Sequence, residues 1–345
     1  MFVFVSIMTN NAIRKYQKSA NRREQSMTEP AFYLQQNFSD FDEFCTNALN
    51  WDLDYRQLEA GSFTGDLLTF GNQNTIFSRA KLGRRMLQQG TSPQGLITFG
   101  LLANQKSNIY WRNIDISANS LFIFPPGGEL HSISQSDFDV LVVSLTEEKL
   151  NQVCESLELP DFKTLIDHNE AFDCNPQLLS AFRRSLLAIE QELTAGNAYA
   201  SFKPYLERLE HELAESLIRL VSDSQQHLTK KPTRKRDLAL QSAELFIHES
   251  DSTVVTIPDL CNACNVSERT LEYAFRERYG MTPKAYTLVC RLNNVRKQLR
   301  AAYPENVKVS EIARQNGFWH MGQFSASYRK LFAELPSETL KQYNL

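Results

Sequence analysis

Cysteine and histidine are the residue types in this sequence that most directly suggest reactive or metal-binding chemistry. Six cysteines are scattered over 345 residues, and only Cys261 and Cys264 have the C-x-x-C spacing. No second pair accompanies them, so we do not predict a zinc site. We expect two partly buried thiols inside a helix, with a thiol switch as the alternative. His131 lacks a second histidine two residues away, so no metal or cofactor is predicted there either.

A second feature of the sequence is a pattern of residues that occurs twice. NVSERTLEYAFRERYG (265–280) and GFWHMGQFSASYRKLF (317–332) both carry apolar or aromatic residues at every fourth position. From Ser267 onward the second copy follows at an offset of 53, and upstream of the turn the offset is 52. Trp319 is therefore one extra residue in the second turn. Two copies in one frame predict a duplicated structural unit.

Each copy predicts a short helix, a tight turn and a longer helix. In the first copy, Thr256 is the expected N-cap of a helix over 257–263. Asn265 is suited to the left-handed conformation that ends this helix, and Ser267 is the expected cap of the next one. A helix, a turn of three or four residues and a second helix form a helix-turn-helix unit. We predict two such units, over 257–279 and 309–332.

A hydrophobic staple is expected at the start of each longer helix. In the first unit it joins Val266, before the cap, to Leu271. In the second unit we predict that Trp319 and Phe324 take these positions around His320.

The second helix of a helix-turn-helix unit enters the DNA major groove, with its N-terminal side chains at the base edges. Arg269 can donate two hydrogen bonds to guanine, and Glu272 can accept one from cytosine N4. Arg276 lies further along and is expected to contact phosphate. The second unit offers smaller side chains, so we expect the first to carry most base discrimination. The candidate DNA-contacting residues are Ser267, Glu268, Arg269, Thr270, Glu272, Tyr273, Arg276, His320, Met321, Gly322, Gln323, Ser325, Ala326, Arg329 and Lys330.

The region before residue 146 predicts strands, and the region after it predicts helices. The clearest short strand-like runs are Leu67–Phe70, Gly95–Leu102, Ser107–Arg112, Leu121–Phe124 and Asp139–Ser144. Pro125 to Gly128 forces a turn between the last two. Short strands at this spacing are typical of a small barrel or sandwich. Thr146 then resembles a helix cap.

A leucine stripe follows in FKPYLERLEHELAESLIRLV, at intervals of three to four residues. It must be buried, either against the chain's own barrel or against a second copy in a dimer. The leucines concerned are Leu206, Leu209, Leu213, Leu217 and Leu220.

Charge is distributed unevenly along the chain. Residues 230–345 contain 18 Lys/Arg and 12 Asp/Glu, a net charge of +6; the remaining residues contain 19 and 28, a net charge of −9. Five of the basic residues lie in KKPTRKR (230–236), where Pro232 excludes a continuous helix. A basic end on an acidic chain indicates a polyanionic partner, with a solvated linker as the alternative.

Composition indicates a globular protein, with 42% apolar and 22% charged residues. The chain is long enough for two or three domains. No apolar run approaches the ~20 residues of a membrane helix. We expect residues 1–27 to be a disordered tail, and Met1, Met8 or Met27 to be the true start.

The last hundred residues resemble the AraC/XylS family of bacterial transcription regulators, and in particular those grouped with the ethanolamine-utilisation activator. The resemblance lies in F-x-x-x-Y-G-x-T-P-x-x-Y (275–286), R-L-N-N-V-R-K-Q-L (291–299), E-I-A-R-Q-N-G-F (311–318) and Y-R-K-L-F…P-S (328–337). Ala326, Ala333 and Leu335 depart from the family's usual Arg, Gly and Thr, which weakens the case for strong DNA contacts by the second unit.

This resemblance implies a multidomain α+β protein. We expect a cupin-like β-barrel sensor over 28–165, helical dimerisation segments over 166–229, a basic linker over 230–236 and an all-α DNA-binding domain over 237–345. Double-stranded DNA, RNA polymerase, a small-molecule effector and a second copy of the chain are the implied partners, in the cytoplasm. Candidate effector-pocket residues, with core packing as the alternative, are Phe99, Tyr110, Trp111, Phe122, Glu129 and His131.

Two other functions would use the same DNA-binding module. An alkyl-transfer repair enzyme would need a reactive or zinc-bound cysteine in the N-terminal half, where Cys45, Cys154 and Cys174 lie far apart. An architectural DNA-binding protein would have a barrel that binds no ligand.

Overall fold

The computed structural model describes residues 32–104, 109–112, 114–195, 203–224, 226–228, 235–249, 255–302 and 307–342. The expected tail over 1–27 and linker residues 230–234 lie outside these ranges. The N-terminal half consists mainly of strands. They are β1 (Phe32–Phe38), β2 (Asp52–Gln57), β3 (Gly65–Gly71), β4 (Thr75–Leu82), β5 (Met86–Thr91), β6 (Ile97–Leu102), β7 (Ile109–Trp111), β8 (Ile114–Ile116), β9 (Ser120–Phe124), β10 (Glu129–Ile133) and β11 (Phe138–Leu145), with helix α1 (Phe41–Asn47) after β1.

These strands form two antiparallel sheets that face each other. The larger sheet has the order β1-β3-β4-β11-β6-β9, extended by β12 (Ala171–Asp173) and β13 (Gln226–His227). The smaller sheet has the order β2-β5-β10-β7-β8. A buried cluster that includes Leu67, Phe122 and Phe124 from the larger sheet and Tyr55 and Trp111 from the smaller one fills the space between them. The expected β-barrel or sandwich is confirmed.

Strand alternation divides the smaller sheet into an inner and an outer face. Tyr55 pairs with Gln88, Gln88 with Ser132, and Ser132 with Trp111, so these four side chains lie in a row. All four are buried between the sheets. Their immediate neighbours along each strand point the opposite way, because side chains alternate with a period of two.

Helices cover the outer face of the larger sheet. They are α2 (Glu147–Ser156), α3 (Phe162–Ile166), α4 (Pro176–Thr194), α5 (Lys203–Arg208) and α6 (Ala214–Asp223), with a π-helical turn over Leu209–Leu213. Thr146 caps α2 as predicted, accepting a hydrogen bond from the Lys149 amide at 3.3 Å. No helix of the described residues is both long and apolar enough to cross a membrane.

The leucine stripe is buried within the chain. Leu209, Leu213, Leu217 and Leu220 belong to the core between these helices and the larger sheet, and Leu206 packs against it. This is the first of the two arrangements that the sequence allowed. A dimer that used these helices would have to use their other faces.

The C-terminal region is helical, as predicted. It contains α7 (Lys235–Glu249), α8 (Ile257–Cys264), α9 (Glu268–Tyr279), α10 (Pro283–Ala301), α11 (Val309–Gln315), α12 (Met321–Phe332) and α13 (Pro336–Gln342). These helices pack directly on the outer face and one edge of the smaller sheet. Leu58, Leu87 and Ile133 share a buried cluster with Leu271 and Phe275. The described parts of the molecule therefore form four layers: helices, larger sheet, smaller sheet and C-terminal helices.

The predicted strand-like runs correspond to β3, β6, β7, β9 and β11, and the other strands were missed. Among the missed strands is β10, which lies between the Pro125–Gly128 turn and β11. That turn leads from β9 in the larger sheet to β10 in the smaller one. β10 has the sequence ELHSI, with Glu129 exposed and His131 half-buried. Because three of its five residues are polar, β10 lacks a strand-like sequence pattern, and it is defined by its pairing with β5 and β7.

Candidate nucleic-acid interface

The first helix-turn-helix unit is built by local capping. Thr256 caps α8 in a reciprocal arrangement with Asp259, as in a capping box. Asn265 ends α8 at φ 50° and ψ 49°, in the left-handed region that asparagine tolerates. Ser267 then caps α9 by accepting a hydrogen bond from the Thr270 amide at 3.3 Å. All three predicted caps are confirmed, and α8 ends one residue later than expected.

The faces of α9 are those that helical periodicity predicts. Leu271, Ala274, Phe275 and Tyr279 are buried. Glu268, Arg269, Tyr273 and Arg276 are exposed, and Glu272 is half-buried. The Arg269 guanidinium carbon lies 5.7 Å from the centroid of the Tyr273 ring. This contact presents a planar five-donor group and an aromatic ring together on the outer face of the helix.

The second unit differs from the prediction at its staple. Phe318 is buried and its ring centroid lies 5.0 Å from that of Phe324, whereas Trp319 is 71% exposed. The prediction that Trp319 occupies the staple position is therefore wrong. His320 is the N-cap, but its side chain makes no capping hydrogen bond. Trp319, the extra residue of this turn, points outward, so Phe318 makes the staple contact with Phe324.

The outer face of α12 is less polar near its start than that of α9. Gly322, Gln323 and Ala326 are exposed, while Met321 and Ser325 are half-buried. Arg329 and Lys330 are exposed in the last turn, where positive charge is favoured by the helix dipole. A short stretch of small side chains allows a close approach to a DNA backbone but provides few donors for base edges.

The repeated aromatic residues form the cores of the two units. Phe275, Tyr279 and Tyr286 are mutually packed, with the two tyrosine rings 4.2 Å apart. The Tyr279 hydroxyl donates to Glu244 of α7, and burial raises the pKa of that carboxyl group. In the second unit, Tyr328 packs on Phe332 and its hydroxyl lies 2.8 Å from that of Thr339. The repeated residues of the sequence therefore pack in the cores of both units.

None of the cysteines is activated as a nucleophile. Burial raises the pKa of all six thiols, including Cys45, Cys154 and Cys174 in the N-terminal half. Cys261 and Cys264 are free and half-buried within α8. A thiolate is the reactive form of cysteine, so these environments oppose alkyl transfer or thiol switching.

The candidate effector-pocket residues do not all come together. Trp111 and Phe122 meet between the sheets, with ring centroids 5.4 Å apart. Phe99 points to the other face of the larger sheet, where it packs on Phe162. Tyr110 lies beneath Arg278 of α9, whose guanidinium carbon is 3.4 Å from the ring centroid. His131 lies on the same outer face, 3.9 Å from Glu244, and Glu129 is exposed.

The space between the sheets contains polar groups, of which sequence reasoning named Trp111 but missed Gln88 and Ser132. Trp111 Nε1 and Gln88 Nε2 are buried donors with no hydrogen-bond partner in the described structure. Their neighbour Ser132 donates to Gln88 Oε1 at 3.3 Å. Buried donors are normally satisfied, so this row marks a polar position inside an aromatic core. Strand pairing brings the three residues together, and the sequence alone carried no signal for it.

Comparison with known proteins agrees with this geometry. A family model described as a helix-turn-helix domain matches residues 260–342, which include most of α8 and all of α9 to α13. A XylDLEGF operon transcriptional activator of Pseudomonas putida is 35% identical over 97 residues, covering 28% of this chain and 30% of the relative. In this domain the chain is similar to transcription regulators of the AraC/XylS family. The matched stretch spans less than a third of that relative's length.

Other AraC/XylS-type proteins resemble more of the chain at lower identity. The XylDLEGF operon transcriptional activator 3 of Pseudomonas putida is 23% identical over 256 residues, covering 73% of this chain and 75% of that protein. The solved structure of the AraC-like transcriptional activator CuxR is 15% identical and covers 83% of this chain and 100% of its own, with a TM-score of 0.40.

Proposed function

We propose that this protein is a sequence-specific DNA-binding transcription regulator, and more specifically an effector-responsive activator. The observation that carries the proposal is the pair of helix-turn-helix units, in which α9 and α12 expose polar and small side chains. In such units the second helix reads the major groove. Activation is favoured because the relatives in Pseudomonas putida are described as transcriptional activators.

The two helices have different roles in this proposal. α9 reads bases through Arg269 and Glu272, which suit guanine and cytosine respectively. Arg276 contacts phosphate. α12 approaches the backbone closely at Gly322 and Ala326, and Arg329 and Lys330 contact phosphates. Phosphate contacts make affinity strongly dependent on salt, whereas α9 supplies most of the sequence information.

Selection from a random duplex library tests this function. The full chain is used, because the C-terminal helices share buried clusters with the N-terminal sheets. We expect enrichment of two short boxes about one helical turn, ~34 Å, apart. A single enriched box would restrict reading to one unit. Binding without enrichment that is lost in moderate salt would instead support an architectural DNA-binding protein.

The effector is proposed to be a small molecule with a hydrogen-bond acceptor and an apolar body. Trp111 Nε1 and Gln88 Nε2 supply donors without partners, and Phe122 and Phe124 supply aromatic surface beside them. Thermal-shift screening of small carboxylic acids and ketones tests this. A stabilising compound whose effect is reduced by Gln88→Leu but not by Gln35→Leu, on a different strand, would support the site. No stabilising compound would favour a barrel that binds no ligand.

RNA polymerase as a partner, a homodimeric state and a cytoplasmic, nucleoid-associated location belong to the same proposal. Because the leucine stripe is buried, the dimer must use another surface. Sedimentation of the full chain, with and without the selected DNA, measures the oligomeric state directly.

A further inference from the structure

The N-terminal domain caps the C-terminal end of the first recognition helix. Arg85, in the turn between β4 and β5, donates from Nη1 to the Tyr279 carbonyl at 2.6 Å and from Nη2 to the Arg278 carbonyl at 3.0 Å. The last carbonyls of a helix have no partner within the helix, and positive charge is favoured at this end. Arg85 therefore binds α9 at the place where the helix accepts an external donor.

The second recognition helix ends on the same part of the N-terminal domain. Gln57 Nε2 donates to the Leu331 carbonyl at 2.7 Å, and the Gly61 amide donates to the same oxygen at 3.0 Å. Gln57 is 1% exposed, so this contact is made without competition from water. Phe41 of α1 packs on Phe332 beside it, with ring centroids 6.4 Å apart.

These two attachments are adjacent on one sheet edge. Gln57, at the end of β2, pairs with Met86, the residue after Arg85. Asn293 of the connecting helix α10 completes the arrangement. Its Oδ1 accepts a hydrogen bond from the backbone N–H of Gln57 at 3.0 Å, and its Nδ2 donates to the backbone carbonyl of Gln57 at 3.0 Å. One edge thus holds the ends of both recognition helices and the helix that joins them.

We infer that this capping edge, consisting of Gln57, Gly61 and Arg85, sets the relative position of the two recognition helices on DNA. Gln57 and Arg85 are positioning residues for DNA reading, although they lie in the sensor domain and do not contact DNA themselves. The inference rests on the proposed DNA-binding function. Two helices that read successive major-groove segments must be held about one helical turn, ~34 Å, apart. Rigid attachment of both helix ends to one edge supplies that constraint.

The test measures preference for box spacing. Full-length wild type, Arg85→Ala and Gln57→Ala are titrated with DNA carrying the two selected boxes at the selected spacing, or with the spacing increased by about half a helical turn. Arg84→Ala is the matched control, because Arg84 contacts Ser62 and Glu59 rather than a recognition helix. Affinity for a single α9 box is measured in parallel.

We expect the ratio of the affinity at the selected spacing to the affinity at the increased spacing to fall by about fivefold or more in Arg85→Ala and Gln57→Ala. This is the lower end of the usual coupling between sites. Arg84→Ala should keep the ratio, and Arg85→Lys should recover part of it, because lysine can still donate to a carbonyl. Single-box affinity should change little. An unchanged ratio in folded Arg85→Ala and Gln57→Ala would overturn the inference.

A DNA-independent measurement separates this inference from the proposed function. Spin labels are introduced through non-canonical amino acids at Arg276 and Lys330, which are both exposed. Arg85→Ala should broaden the distribution of distances between them, and Arg84→Ala should not. A broadened distribution in a protein that ignores DNA sequence would contradict the proposed function alone. An unbroadened distance distribution in Arg85→Ala would contradict the positioning role. Because this measurement uses Arg85→Ala, it remains decisive even where Gln57→Ala does not fold.

Discussion

Arg296, on the helix that connects the two DNA-binding units, forms a buried ion pair with Asp40 at the start of α1. The two side chains are 4% and 3% exposed. Asp40 is also the N-cap of α1, accepting from the Glu43 amide at 2.7 Å. Arg296 contacts Asp42 as well, and Arg300 contacts both carboxylates. The negative charge of Asp40, which caps a helix of the N-terminal domain, is therefore neutralised by arginines of the C-terminal domain. This ion pair makes the stability of each domain depend on the other.

Arg296→Ala should lower the free energy of unfolding by about 3–5 kcal/mol, because it leaves buried carboxylates with less compensation. Lys297→Ala is the matched control. Lys297 is exposed and lies 3.2 Å from Asp54, a surface pair worth about 0–1 kcal/mol. Denaturant unfolding of both variants measures the difference. Equal losses would show that the Asp40 pair carries no special weight.

Glu244→Gln should change how stability depends on pH. Burial raises the pKa of Glu244 in the folded protein, partly offset by the Tyr279 hydroxyl, His131 and Arg278. The folded state thus binds a proton more readily than the unfolded state. Wild type should gain stability as pH falls through the raised pKa towards the ordinary glutamate value, and keep that gain below it.

The glutamine variant has no such proton to bind, and its side-chain oxygen can still accept from Tyr279. Its stability advantage over wild type should therefore be largest near neutral pH and should shrink as the solution becomes acidic. Chemical unfolding across this pH range measures the difference. A constant difference between the two proteins would contradict the assignment to Glu244.

Arg269→Ala should cost about 1–3 kcal/mol on the best site and relax selectivity at one base pair. Arg329→Ala should weaken binding to all sequences alike, because we propose that its side chain contacts phosphate and not a base edge. Both arginines are exposed, so neither change should alter stability. Competition binding with selected and random duplexes provides the measurement. An unchanged ratio of the two affinities in Arg269→Ala would contradict base reading by α9.

Phe318→Ala and Trp319→Ala form a matched pair that tests the second turn. Phe318 is buried against Phe324, so its loss should destabilise the fold by about 3–5 kcal/mol. Trp319 is exposed, and its loss should change stability by no more than about 0.5 kcal/mol. Thermal and chemical unfolding would report both. A larger loss of stability in Trp319→Ala than in Phe318→Ala would show that the Trp319 side chain, and not Phe318, forms the staple.

Sequence patterns predicted the elements whose causes are local. Thr256, Asn265 and Ser267 act within one turn of themselves, so their capping roles could be predicted from residue type and spacing. The aromatic repeat predicted the cores of both units for the same reason. The staple prediction failed at Trp319 because the inserted residue is itself aromatic and directly follows Phe318. Only packing against Phe324 distinguishes Phe318 from its neighbour.

The sequence by itself determined that two helix-turn-helix units follow a domain of short strands. The tertiary structure alone decided what each strand residue faces. Tyr110 and Trp111 are consecutive, yet one contacts Arg278 of a recognition helix and the other lies between the sheets. Arg85 and Gln57 meet carbonyls 194 and 274 positions away. Contacts of that range come from the packing of one layer on another, and no local pattern of residues encodes them.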